Sequence, residues 1–123
     1  MDFKPPIFAI ALVLLGAGAQ ADTGYDFTVA TAPDGAFDIT PKIPGGDTVF
    51  WCAASEHARR ALGASGSDRI YAFGRTALRT ARFSLTAPAS GPVQTFTLSL
   101  DEVGNNLSVA AAFQYCLNET INE

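Results

Sequence analysis

Two cysteines, Cys52 and Cys116, constrain this chain more than anything else in it, because they follow a leader of the export type. Residues 1–21 read MDFKPPIFAIALVLLGAGAQA: Lys4 near the start, an unbroken apolar run from Ile7 to Leu15, then small residues. Ala19-Gln20-Ala21 fits the small-x-small pattern that precedes a cleavage site, with Ala17-Gly18-Ala19 as a second choice. A membrane span needs about 20 apolar residues, so the run predicts a cleaved signal peptide rather than a retained anchor, which is the alternative. The expectation is a single exported α+β domain over residues 22–123, periplasmic or extracellular, from a leader bacterial in type. In such a compartment two cysteines pair. A Cys52–Cys116 bond closes a 64-residue separation. By chain entropy such a loop is worth about 4 kcal/mol, a large share of a stability of about 5–15 kcal/mol.

Around that crosslink the punctuation is clear. Tyr25–Ala30 and Ala36–Thr40 read as strands joined by Pro33-Asp34-Gly35, where Pro presets φ and Gly accepts a positive one. Pro41, Pro44 and Gly45-Gly46 then break regular structure. Asp47–Leu62 is the main helix, with Asp47 to cap it, Arg59 and Arg60 in its last turn and Gly63 just beyond. Phe50, Ala54, Ala58, Ala61 and Leu62 share one side of it, with Trp51 at the edge. The β-branched start leaves an alternative in which TVFWC is a short strand feeding a later helix.

Arg69–Phe73 reads as a strand ended by Gly74, and Ala81–Thr86 as another with Ala81, Phe83 and Leu85 on one face. Gln94–Leu100 alternates most cleanly, Phe96, Leu98 and Leu100 against Thr95, Thr97 and Ser99. Gly104-Asn105-Asn106 suits a turn. In residues 107–117 every odd position is apolar, which predicts a strand paired with Gln94–Leu100; Ser108 before three alanines offers a capped helix instead. The predicted fold class is therefore α+β: an antiparallel sheet of about four to six short strands, one main helix over 47–62, and one disulfide.

Catalytic chemistry finds little footing. Cys52 and His57 are the residue types of a thiol enzyme, but five positions apart on a helix they point about 140° away from each other. Cys52 also has Cys116 to bond with. Haem attachment and thioredoxin chemistry both need a second cysteine three residues on, and Cys52 has none. Hydrolase motifs, phosphate loops and calcium-loop spacing are absent from the sequence. The expectation is a non-enzyme without cofactor or metal.

Charge is the remaining signal. The chain carries 8 Lys plus Arg against 12 Asp plus Glu. Six cations are concentrated as Arg59, Arg60, Arg69, Arg75, Arg79 and Arg82, opposed in that stretch by Asp68 alone. Residues 22–47 and 101–123 are each net acidic. Arginine suits bidentate contact with carboxylate or phosphate, so one reading is a contact surface for an anionic polymer or an acidic protein. The other folds the acidic ends over the basic middle. An overall acidic chain makes nucleic acid an unlikely partner. The leading functional expectation is a small non-catalytic binding or accessory protein of the cell envelope. An inhibitor of a secreted hydrolase, with a wedge at Gly63–Asp68 or Ala87–Pro92, is the first alternative; a thiol enzyme using Cys52 and His57 is the second.

Overall fold

The turn at Pro33-Asp34-Gly35 forms as its residues dictate. Gly35 takes φ +95°, its N–H reaches the Ala32 carbonyl at 3.0 Å, and Asp34 Oδ1 accepts the Ala36 N–H at 3.1 Å. It joins β1 (Phe27–Thr31) to β2 (Phe37–Pro41) in an antiparallel hairpin with Phe27 opposite Pro41. The structure, a computed structural model, describes residues 26–93 and 97–121. The expected signal peptide, and Tyr25 at the start of the first expected strand, lie outside the described residues.

Helix α1 (Asp47–Arg60) begins at Asp47, so the alternative strand over TVFWC does not form. Gly46 occupies the capping position, and the Asp47 carboxylate goes to Arg75 instead of capping the helix. At the far end Gly63 adopts φ +70°, and the Ala64 N–H closes on the Ala58 carbonyl at 2.9 Å. Every residue from Val49 to Ala58 is buried, because α1 lies between the sheet on one side and a second helix on the other.

Strand β3 (Arg69–Ala77) runs through Gly74 rather than ending there, and turns back into β4 (Thr80–Ser84). Ala81 and Phe83 face the core as their alternation predicts. A short β5 (Asn106–Ser108) pairs with the start of β3, completing an antiparallel sheet of order β1-β2-β4-β3-β5. The expected α+β class, the main helix and the disulfide are all present.

Two expectations are corrected. Residues 107–117 are not a strand: after β5 the chain enters α2 (Val109–Ile121). Ser108 Oγ accepts the Ala111 N–H at 3.1 Å, and Val109, Ala112 and Cys116 are buried at helical spacing. Alanine at the even positions made the odd-position alternation uninformative, since alanine buries or exposes with equal ease. Nor is Gln94–Leu100 a strand in its described part. Thr97–Leu100 is irregular, while residues 94–96 lie outside the described residues. Its carbonyls go to side chains: Thr97 O and Ser99 O each accept from Asn105 Nδ2 at 3.0 Å, and Leu98 O accepts from Trp51 Nε1 at 2.9 Å.

The core lies between the inward sheet face and α1. Phe37, Ile39, Ile70, Phe83, Trp51 and Leu100 are fully buried, with the Trp51 ring edge-on to Phe83 at 5.2 Å. A second, smaller cluster of Val49, Cys52 and Cys116 sits between the helices, flanked by Phe113 and Tyr115.

Candidate functional site

The Cys52–His57 stretch separates its two reactive residue types. Cys52 is bonded to Cys116 across the α1–α2 interface, with 5.0 Å between their Cα atoms. While that bond stands, Cys52 offers no thiolate. His57 packs on the sheet side, its ring centroid 4.7 Å from that of Phe37. Burial lowers its pKa below the ordinary value, because the low-dielectric surroundings disfavour the imidazolium. Its Nδ1 has no hydrogen-bond partner among the described residues. Those residues also contain no group of three His, Cys, Asp or Glu placed to hold a metal ion, and no helix long and apolar enough to cross a membrane.

The six arginines are spread over the molecule. Arg59 and Arg60, at the end of α1, both reach the buried Glu56 carboxylate: Arg59 Nη1 at 3.4 Å from Oε1, Arg60 through Nε to Oε2. Arg59 also lies over the Phe113 ring, 4.2 Å from its centroid. Arg82 projects from the sheet face opposite the helices. There its register partner across β2–β4, Asp38, takes a fork of two hydrogen bonds at 2.7 and 3.1 Å. Asp38 raises the Arg82 pKa above its ordinary value, through those hydrogen bonds and its charge.

Arg75 owes its position to the β3 irregularity. Ala72 pairs with Phe83, but Arg75 pairs with Ala81, so β3 carries one residue more than β4 over this span. Gly74, at φ +96°, supplies the backbone for that bulge. Arg75 thereby shares the helix-side face with Ala81. It meets Asp47 at 3.2 Å and Asp101 at 3.6 Å, with the Phe50 ring centroid 5.3 Å away. Arg69 stands at the other end of the strand, six residues and about 20 Å away. It is held by a neutral group, with Nε and Nη2 donating to Asn106 Oδ1 at 3.0 and 2.7 Å.

Arg79 lies at the β3–β4 hairpin tip and has no ion-pair partner among the described residues. With Arg75 and Phe50 it lines a cleft of about 80 Å³, closed on the other side by Pro41, Ile43 and Gly45. Leu78 beside it is 89% exposed and Ile43 is 40% exposed, so the cationic tip carries an apolar rim. A larger groove of about 290 Å³ opens beside β5, between Arg69, Leu98, Asn106, Leu107 and Tyr115.

Sequence reasoning found the arginines but missed Glu56, Asn106 and Leu78. Leu78, an apolar residue between two strand segments and next to an arginine, was the readable signal. Asn106 looked like part of a turn. Its amide is instead buried, with Nδ2 donating to Val93 O at 3.0 Å and Gly104 O at 2.9 Å. No protein-family profile, curated protein or solved structure matches the chain.

Proposed function

We propose that this chain is a small exported, non-catalytic binding protein of the cell envelope, and that it meets an acidic protein partner through the β3–β4 hairpin tip. The observation that carries this reading is Arg79. The other five arginines are held within the molecule by Glu56, Asp38, Asp47, Asp101 or Asn106. Arg79 keeps its charge for an outside carboxylate, next to the most exposed large hydrophobic side chain of the described residues, Leu78. A charged fork beside a leucine matches a protein surface with an acidic and an apolar element better than a uniformly anionic polymer. The chain's own net charge of −4 also disfavours a dense polyanion, which would repel it at long range. Export is supported by the leader and fits the disulfide, which persists in oxidising compartments.

A photo-crosslinking residue placed at position 78 of the exported chain tests the reading. The expected result is an adduct with one acidic envelope protein that is lost in an Arg79→Glu background. Absence of any adduct at 78, or an adduct indifferent to Arg79→Glu, would overturn it. For the inhibitor alternative the sequence points to a wedge at Gly63–Asp68 or Ala87–Pro92; the exposed Leu78 on the hairpin tip offers a different wedge for the same role. A hydrolase recovered as the adduct, and inhibited by the wild-type chain, would select that version.

A further inference from the structure

We propose that the groove beside β5 is a binding site for a small organic carboxylate, gripped by Arg69. This goes beyond the hairpin-tip reading and uses none of its residues. The first observation is the chemistry of the Arg69 partner. Arg59, Arg60, Arg75 and Arg82 are each held by a carboxylate, which offsets their charge. Arg69 is held by the side-chain amide of Asn106, and no carboxylate pairs with it among the described residues. The orientation of that amide is fixed, because its Nδ2 donates to two backbone carbonyls, Val93 O and Gly104 O. Its oxygen therefore faces the guanidinium. An aspartate at 106 could hold Arg69 as well but would neutralise it. The buried asparagine positions the fork and leaves its positive charge whole.

The second observation is which edge of the fork remains. Asn106 Oδ1 occupies Nε and one Nη2 hydrogen. Among the described residues no other acceptor bonds the guanidinium, which leaves the end-on pair of Nη1–H and Nη2–H, and two parallel N–H groups match the two oxygens of a carboxylate. The third is the surroundings. Leu98 and Leu107 give the groove an apolar wall, and Tyr115 supplies a phenol as a further donor. At about 290 Å³ the groove lies at the small end of ligand sites, which run from about 300 to 1,000 Å³. A carboxylate on a short apolar body fits this combination: the charge meets Arg69 and the body lies against the two leucines.

The test is an amide-resolved NMR titration of the exported, disulfide-bonded chain with acetate, butyrate and phenylacetate, using phenylacetamide as the uncharged control. Saturable shifts are expected at the Asn106 side-chain amide and the Leu107 backbone N–H. They should be strongest for phenylacetate and absent for phenylacetamide. Arg69→Gln should raise the apparent Kd about tenfold or more, as the loss of a charge-assisted pair implies. Arg69→Lys, which keeps the charge and loses the planar fork, should recover part of that affinity. Three results would each overturn the site: no saturable shift with any of the three acids, equal binding of phenylacetamide, or unchanged affinity in a folded Arg69→Gln variant. Should Arg69→Gln fail to fold, the Lys variant and the amide control still decide.

Discussion

The indole N–H of Trp51 donates to the backbone carbonyl of Leu98 at 2.9 Å, tying the middle of α1 to a segment 47 positions later. That bond has a partner in Asn105, whose side-chain amide takes the carbonyls on either side, Thr97 O and Ser99 O. Three successive carbonyls are thus satisfied by two side chains rather than by a neighbouring strand. The arrangement keeps Leu100 buried in the core without a ladder to hold it there.

Trp51→Phe removes the donor, leaves the Leu98 carbonyl short of a partner and shrinks the fully buried ring against Phe83. The expected loss is about 2–4 kcal/mol of folding stability, from the unsatisfied carbonyl and the vacated volume together. Urea unfolding followed by circular dichroism measures it. A loss well under about 1 kcal/mol would mean that the hydrogen bond contributes nothing net.

The Cys52–Cys116 bond spans the two helices and the smaller core cluster. Replacing both cysteines by alanine should cost about 2–5 kcal/mol, most of it through a freer unfolded chain. Alkylation of the native protein before and after reduction gives an independent check by mass. The expected outcome is no adduct until reduction and two afterwards. Two adducts without reduction would show that the native protein carries free thiols.

The legible parts of this fold were those fixed by neighbouring residues. Pro33-Asp34-Gly35 gave the first hairpin and Gly63 the end of α1, because a turn or a cap is a local event. Two cysteines behind a leader of the export type led to the expected crosslink, which the structure contains. The illegible parts depend on distant partners. Alternation in Gln94–Leu100 reports which side chains turn inward, and Leu98 and Leu100 do. It cannot report whether a strand lies alongside to accept the ladder. The arginines show the same division: their abundance is plain in the sequence, but Asp38 reaches Arg82 only through the β2–β4 register, and Arg75 reaches Asp47 only because Gly74 bulges β3.

The Asp38–Arg82 pair tests how far the register depends on charge. Its geometry is bidentate, yet the side chains remain 21% and 38% exposed, so solvent screens the attraction. A double-mutant cycle with Asp38→Asn and Arg82→Gln should give a coupling of about 0.5–1 kcal/mol, shrinking as salt is raised. A coupling above about 2 kcal/mol that salt leaves untouched would show that the pair behaves as a buried one.

His57 gives the fold a weakness on mild acidification. Burial holds its folded pKa below the ordinary 6.5 that the unfolded chain retains. Above that value both states are neutral and the stability is at its full level. As pH falls below 6.5 the unfolded chain takes up a proton that the folded one refuses, so stability declines until the folded pKa is reached and then levels off. The slope from this one group cannot exceed about 1.4 kcal/mol per pH unit. Glu56 and Arg60 lie close by on the same helix, so wild-type slopes alone do not isolate the imidazole. His57→Phe does: it keeps a ring against Phe37 and gives up an Nδ1 that has no hydrogen-bond partner among the described residues. Urea midpoints measured from about pH 8 down to about pH 5 should fall for the wild-type chain below 6.5 and fall less for the variant, the difference being the imidazole's share. Parallel curves would show that His57 binds its proton equally in both states, through an opening of the Phe37 contact that admits water.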